Sequence, residues 1–81
     1  MNHTEALKRI MKQGGLTQGD VATRAGLNSR QHVSQLVLHK DTQFRKIVVL
    51  LDAMGYEAAA MPKDCPPLPE DVYVLRKEDY Q

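Results

Sequence analysis

Two glutamines four residues apart, Gln31 and Gln35, carry the clearest recognition chemistry in this chain of 81 residues. At about 100° per residue, a helix places both on the side opposite Val33. An amide offers one donor and one acceptor, which match the N6 and N7 edge of adenine, and a neighbouring arginine, Arg30, matches guanine. The chemistry indicated is hydrogen bonding to base edges. A solvated helix face is the plainer alternative for the same residues.

Groups for covalent chemistry do not form a recognisable set. The three histidines, His3, His32 and His39, lack a metal-binding spacing, and Cys65 is the single cysteine. The pair Gly14-Gly15 is not followed by the Lys and Ser/Thr of a phosphate-cradling loop, so it indicates a helix end. We therefore expect no enzymatic activity, no metal and no cofactor.

The glutamines lie in a pattern that predicts two short helices joined by a glycine turn. Thr17 and Asp20 have the spacing of a capping box, which predicts a helix from about Gln18. Gly26 is suited to closing that helix, and Ser29 to capping the next. The inward residues are Val21, Ala22 and Ala25 in the first helix, and Val33, Leu36 and Val37 in the second. This arrangement is a helix-turn-helix.

Two further helices flank the motif, which makes the expected fold all-α. Asn2 is placed to cap a first helix over residues 3 to 13, which carries Leu7, Ile10 and Met11. A fourth helix is expected from Asp41 or Thr42 to Met54, with Gly55 as its stop. Its expected core stripe is Phe44, Ile47, Val48 and Leu51. We divide the chain into a helix-turn-helix domain, residues 1–55, and a C-terminal extension, residues 56–81.

Residues of this motif resemble the helix-turn-helix of the Cro/cI-type (XRE family) repressors over about residues 4 to 56. The resemblance rests on Gln18, Val21, Ala22, Gly26, Val33 and Leu36. It implies a lambda-repressor-like bundle of four or more helices. One departure is that six residues separate Gly26 from Val33, where the family pattern has five. The register of the base-reading side chains is therefore left open.

The resemblance also implies which residues meet DNA. Base reading falls to Arg30, Gln31, Ser34 and Gln35. A helix start attracts phosphate through its free N–H groups and its dipole, and by resemblance Gln18 lies there. The full set of expected phosphate contacts is Thr17, Gln18, His32, Lys40, Thr42 and Lys46.

The charges are divided unevenly along the chain. Residues 1–46 contain eight Lys/Arg and three Asp/Glu, a net charge of +5, whereas residues 47–81 contain three and seven, a net charge of −4. A basic half that carries the motif is expected when one face meets phosphate. Chance partition is the alternative.

The C-terminal part suggests self-association. Helix four carries more apolar surface than a small monomer needs, at Val49, Leu50 and Ala53. This surplus favours a homodimer. The alternative is that the C-terminal extension folds back over these residues. Some relatives carry a short β-strand after the last helix that pairs across the dimer axis, and Tyr56, Ala58 and Ala60 lie in the corresponding segment. Residues 72–75 are either a second short strand or part of a helix opened by Pro69.

Cellular location is also indicated. One cysteine excludes an intramolecular disulfide and fits a reducing cytoplasm. The longest aliphatic run, residues 47–51, is far shorter than the about 20 residues of a membrane span, and no signal peptide is visible. A soluble, cytoplasmic protein with no membrane contact is expected.

The favoured function is a transcriptional repressor that binds an operator in double-stranded DNA as a homodimer. An alternative is the antitoxin of a toxin–antitoxin pair, which represses its own operon and holds a toxin protein through its C-terminal part. A third, from another class, is a protein-interaction adaptor on the same helical scaffold.

Overall fold

The computed structural model describes residues 1–64 and 66–80, which form four α-helices and an irregular C-terminal segment. The helices are α1 (His3–Gly14), α2 (Gln18–Ala25), α3 (Arg30–Leu38) and α4 (Phe44–Ala53). A short 3₁₀ helix, Lys77–Tyr80, follows near the end. The all-α fold expected from the sequence is confirmed.

The first three helices begin where their caps predict. Asn2 Oδ1 accepts a hydrogen bond from the Glu5 N–H at 3.0 Å. In α2 the capping box is complete, because Thr17 Oγ1 accepts from the Asp20 N–H at 3.1 Å and the Asp20 carboxylate accepts from the Thr17 N–H at 2.9 Å. Ser29 Oγ accepts from the first turn of α3. Each cap satisfies donors that a helix start would otherwise leave unpaired.

The fourth helix begins later than expected, at Phe44 instead of Asp41 or Thr42. The reason is that the Thr42 hydroxyl donates to the carbonyls of Leu36, at 2.6 Å, and His39, at 2.9 Å, and so holds the end of α3. Gln43 occupies the N-cap position of α4 but forms no side-chain cap. The N-terminus of α4 is therefore left without a capping side chain.

The core contains side chains from all four helices. Its fully buried members are Leu7 of α1, Val21 of α2, Val33 and Val37 of α3, and Leu50 of α4. The turn between α2 and α3 is made at Gly26, whose φ of 70° lies in the left-handed region that favours glycine. The inward faces predicted for α1, α2 and α3 are confirmed by this core, except that Ala25 is only half-buried and lies outside it.

The orientation of α4 differs from the expected one. Of the expected stripe, Ile47 is buried and Leu51 is half-buried against the core, whereas Phe44 is 63% exposed and Val48 lies at the surface. Leu50, which is outside that stripe, is fully buried. The expected and the observed buried residues both have helical spacing, because α4 is apolar on most of its circumference. Packing against the other helices selects the set that contains Leu50. The expectation that Leu50 belongs to a dimer surface is therefore wrong, since its side chain has no exposed area.

The C-terminal segment returns to the N-terminal helix. Within the described residues it contains no strand, and residues 72–76 run as irregular chain beside Met1. The Met1 nitrogen donates to the Val74 carbonyl, and the Arg76 N–H donates to the Met1 carbonyl. A cavity of ≈ 880 Å³ lies between the tail and the α1 and α4 helices. The tail thus folds back, but Val49 stays 43% exposed.

None of the helices among the described residues has the length and apolar character needed to cross a membrane.

Candidate nucleic-acid interface

The side chains predicted to read bases occupy one surface of α3, which we call the recognition face: Arg30, Gln31, Ser34 and Gln35. They lie at the i, i+1, i+4 and i+5 positions of one helix, so they form a continuous strip. Arg30 and both glutamines are exposed, and Ser34 is half-buried. The opposite side of the helix is packed into the core. The helix rotation derived from the pattern is therefore the one that the structure has.

The extra residue in the turn does not rotate the glutamines inward. Residues 27–29 complete the turn, and Ser29 caps α3, which begins at Arg30. The extra residue is therefore accommodated in the turn, before the helix begins. Leu38, the last residue of α3, extends the recognition face and is 56% exposed. An apolar side chain at such a place can contact a thymine methyl group.

The start of α2 supplies further polar groups. Thr17 is exposed and Gln18 is half-buried. Thr17 Oγ1 accepts a hydrogen bond from the Asp20 N–H. The Thr17 backbone N–H, and then its hydroxyl, hold the pKa of the Asp20 carboxyl below its usual value. Asp20 is consequently negative at neutral pH, and its carboxylate accepts the Thr17 N–H.

A shallow depression between the end of α3 and the start of α4 brings together three residues that were expected to contact phosphate: His32, Thr42 and Lys46. Gln43 and the acidic residue Asp41 also line it. Because the Thr42 hydroxyl already donates to two carbonyls of α3, the donors that remain here are the other side chains and the uncapped N–H groups of α4. Such a helix start attracts anions.

Gln43 was not identified from the sequence. The sequence does contain an indication of an uncapped helix start, because Gln43, the residue before the apolar run of α4, is not one of the usual capping types. The sequence pattern predicts that α4 starts earlier, at Asp41 or Thr42. The structure uses Thr42 at the end of α3 instead.

Most basic side chains of the described residues, including those on and near α3, have no acidic partner. Within residues 1–64 and 66–80, the ion pairs are Arg9 with Glu5, at 2.7 Å, and the Met1 amino group with Asp79, at 2.6 Å. Both lie outside the recognition face. The basic side chains left without a carboxylate in these ranges include Arg30, Lys40, Arg45 and Lys46. Unpaired cations are the groups that replace counterions on a phosphate backbone.

The residues expected at a dimer interface are divided by the structure into two groups. Val49, Ala58 and Ala60 are exposed and remain available. Leu50 is fully buried, while Ala53 and Tyr56 are half-buried and pack against the core. Desolvation, together with the negative charges of Tyr73 and Asp71, raises the pKa of Tyr56, so this phenol is neutral at physiological pH. The ring centroids of Tyr56 and Tyr73 lie 6.1 Å apart. These two tyrosines join the tail to the bundle.

Within the described residues, no group of three or more His, Cys, Asp or Glu side chains is arranged to hold a metal ion.

Comparisons with protein-family models, with curated proteins and with solved structures find no match to this chain.

Proposed function

We propose that this protein is a sequence-specific, double-stranded DNA-binding transcriptional repressor of the Cro/cI (XRE) kind. The observation that carries the proposal is the exposure of Gln31 and Gln35 on one side of α3, while the other side of the same helix is fixed in the core. A rigid helix with an unpartnered polar face, held by a second capped helix across a glycine turn, is how this motif enters a major groove.

The chemistry of the site suggests a division of roles. The recognition face hydrogen-bonds base edges, and the depression at the start of α4, with Lys46, Gln43 and His32, contacts the phosphate backbone. Contacts to phosphate set the register on the duplex, whereas contacts to bases select the sequence. Repression follows from occlusion, because a bound protein excludes polymerase from the same stretch of DNA without any bond being made or broken.

A homodimer is part of this proposal. The exposed apolar side chains Val49, Ala58 and Ala60 form its expected contact, now without Leu50. Two copies of α3 are expected about 34 Å apart, the length of one turn of B-DNA. Such a repressor works in the cytoplasm, where a lone cysteine stays reduced.

The test is selection of binding sequences from random duplexes, followed by titration of the selected duplex and a scrambled one. We expect an enriched, two-fold symmetric sequence, tighter binding to it, and affinity that falls steeply with salt. Equal, weak binding to both duplexes would refute sequence-specific recognition. No binding at low salt would refute DNA binding altogether and leave the adaptor function.

A second candidate is an antitoxin, favoured by one observation. The acidic C-terminal extension exposes several large apolar side chains, among them Leu68, Val72 and Leu75. Exposed apolar patches are one mark of a surface that binds a partner protein. Co-purification of the full chain with the product of an adjacent gene, together with relief of that product's toxicity, would support this function. An operator-binding protein without such a neighbour would be a plain repressor.

A further inference from the structure

Among residues 1–64 and 66–80, the most enclosed polar side chain is that of His3, which is 2% exposed and lies at the start of α1. Its ring connects two distant parts of the chain. Nδ1 lies 2.9 Å from the Tyr80 hydroxyl oxygen, and Nε2 lies 2.9 Å from the His39 carbonyl oxygen. The Tyr80 ring also stacks on the His3 ring, with centroids 5.6 Å apart. His3 thus lies between the C-terminal 3₁₀ helix and the turn that follows α3.

The hydrogen bonds of this bridge have a definite direction. A carbonyl can only accept, so the Nε2 atom of His3 must carry the proton that is donated to His39. In the neutral ring Nδ1 is then an acceptor, and the Tyr80 hydroxyl donates to it. The same hydroxyl oxygen accepts the His3 backbone N–H at 2.7 Å. Removing the Tyr80 hydroxyl would therefore leave two buried polar groups of His3 without a partner.

The bridge ends where the recognition helix ends. The last carbonyls of a helix have no partner within the helix, and here side chains provide one. The Thr4 hydroxyl donates to the Val37 carbonyl, Thr42 donates to Leu36 and His39, and His3 donates to His39. Residues 39–42 are held further by the Asp41 N–H, which donates to the His39 ring at 3.1 Å. Lys40 and the start of α4 follow directly from this turn.

We propose that Tyr80 is a positioning residue for the DNA-binding surface, acting through His3 on residues 39–42. The effect on DNA rests on the function proposed above, whereas the effect on the turn does not. The tail then has a defined role. It need not touch DNA, yet its last turn orients the His3 ring that supports the link between the recognition helix and the phosphate-contacting start of α4.

The informative variant is Tyr80→Phe, which removes the hydroxyl and keeps the ring that stacks on His3. Tyr80 is 46% exposed, so this variant is expected to fold. The matched control is Tyr73→Phe. It removes another tail hydroxyl that donates to α1, at Gln13, away from residues 39–42. A loss of tail docking alone would affect both variants alike.

The first measurement is amide hydrogen exchange of the full chain without DNA, read at Asp41 and Thr42. We expect Tyr80→Phe to accelerate exchange of both amides several-fold, in line with the loss of one net hydrogen bond. Tyr73→Phe is expected to leave them at the wild-type rate. Equal exchange at these amides in the wild type and Tyr80→Phe would overturn the proposal, and so would equal acceleration by both variants.

The second measurement is the affinity of each variant for the selected duplex and for a scrambled one. It is made at a temperature at which the wild type and both variants are fully folded. We expect Tyr80→Phe to weaken both about two- to tenfold, because loss of one net hydrogen bond corresponds to a change of that size, and Tyr73→Phe to weaken neither. Unchanged affinity alongside faster exchange would overturn the part that concerns DNA. Absence of DNA binding by the wild type would instead refute the proposed function, while the exchange result still decides whether Tyr80 holds the turn.

Discussion

Substitution of Gln31 by alanine is the sharpest test of the recognition face. Gln31 is exposed, and its side chain forms no hydrogen bond with any other described residue. Its loss should therefore change the free energy of unfolding by no more than about 0.5 kcal/mol, as is usual for surface positions. Any large change in DNA binding would then come from the interface and not from the fold.

The expected size of that change follows from the contact proposed for the amide. A bidentate hydrogen bond to a base discriminates against the wrong base by about 1 to 3 kcal/mol, which corresponds to about 5- to 150-fold in affinity. Gln31→Ala should weaken binding to the selected operator by a factor in this range. Binding to a scrambled duplex should change little, since no base is read there.

Lys46→Ala is the matched control, because Lys46 lies in the depression at the start of α4 and has no acidic partner among the described residues. A phosphate contact carries no sequence information, so this variant should weaken binding to both duplexes equally. The slope of log affinity against log salt should become shallower by about 0.9 for each phosphate that the protein no longer neutralises. Fluorescence anisotropy with a labelled duplex, repeated at several salt concentrations, measures both quantities.

The result that would refute the reasoning is specific. If Gln31→Ala and Gln35→Ala weakened operator and scrambled duplex alike, with no base position losing its preference, these glutamines would not read bases. The reading edge would then lie with the flanking positions, Arg30, Ser34 and Leu38.

Three further predictions concern association, stability and pH. Val49→Lys should shift the protein toward monomer in sedimentation at micromolar concentration, because it adds a charge to the exposed apolar side of α4; an unchanged dimer would place the contact elsewhere. Leu50→Ala should lower the free energy of unfolding by about 2 to 5 kcal/mol in urea titrations, as for other buried leucines; a change below about 1 kcal/mol would contradict its place in the core. The lowered pKa of Asp20 means that its stabilising effect is complete above the usual carboxyl pKa of 3.8 and is lost as pH falls through the lower folded value. Thermal unfolding of Asp20→Asn should therefore depend less on pH in the acidic range than that of the wild type, and parallel profiles would show that the capping box adds nothing.

Elements set by neighbouring residues could be predicted from the sequence. The starts of α1, α2 and α3 follow from Asn2, Thr17 and Ser29, because a cap and the N–H group that it satisfies lie within three residues of each other. The inward and outward sides of α3 were also predictable. That helix is apolar on one side and polar on the other, so only one rotation buries its apolar residues.

Tertiary packing decided those features for which the local sequence pattern allowed more than one structure. On α4 two overlapping apolar stripes have the same spacing, and contact with the other three helices selected the one that buries Leu50 and exposes Phe44. The role of Thr42 was decided in the same way, since its hydroxyl caps the end of α3 and not the start of α4. The bridge from Tyr80 through His3 to His39 joins residues far apart in the chain. No helical period or cap spacing encodes such a contact, because it exists only once the tail has returned to α1.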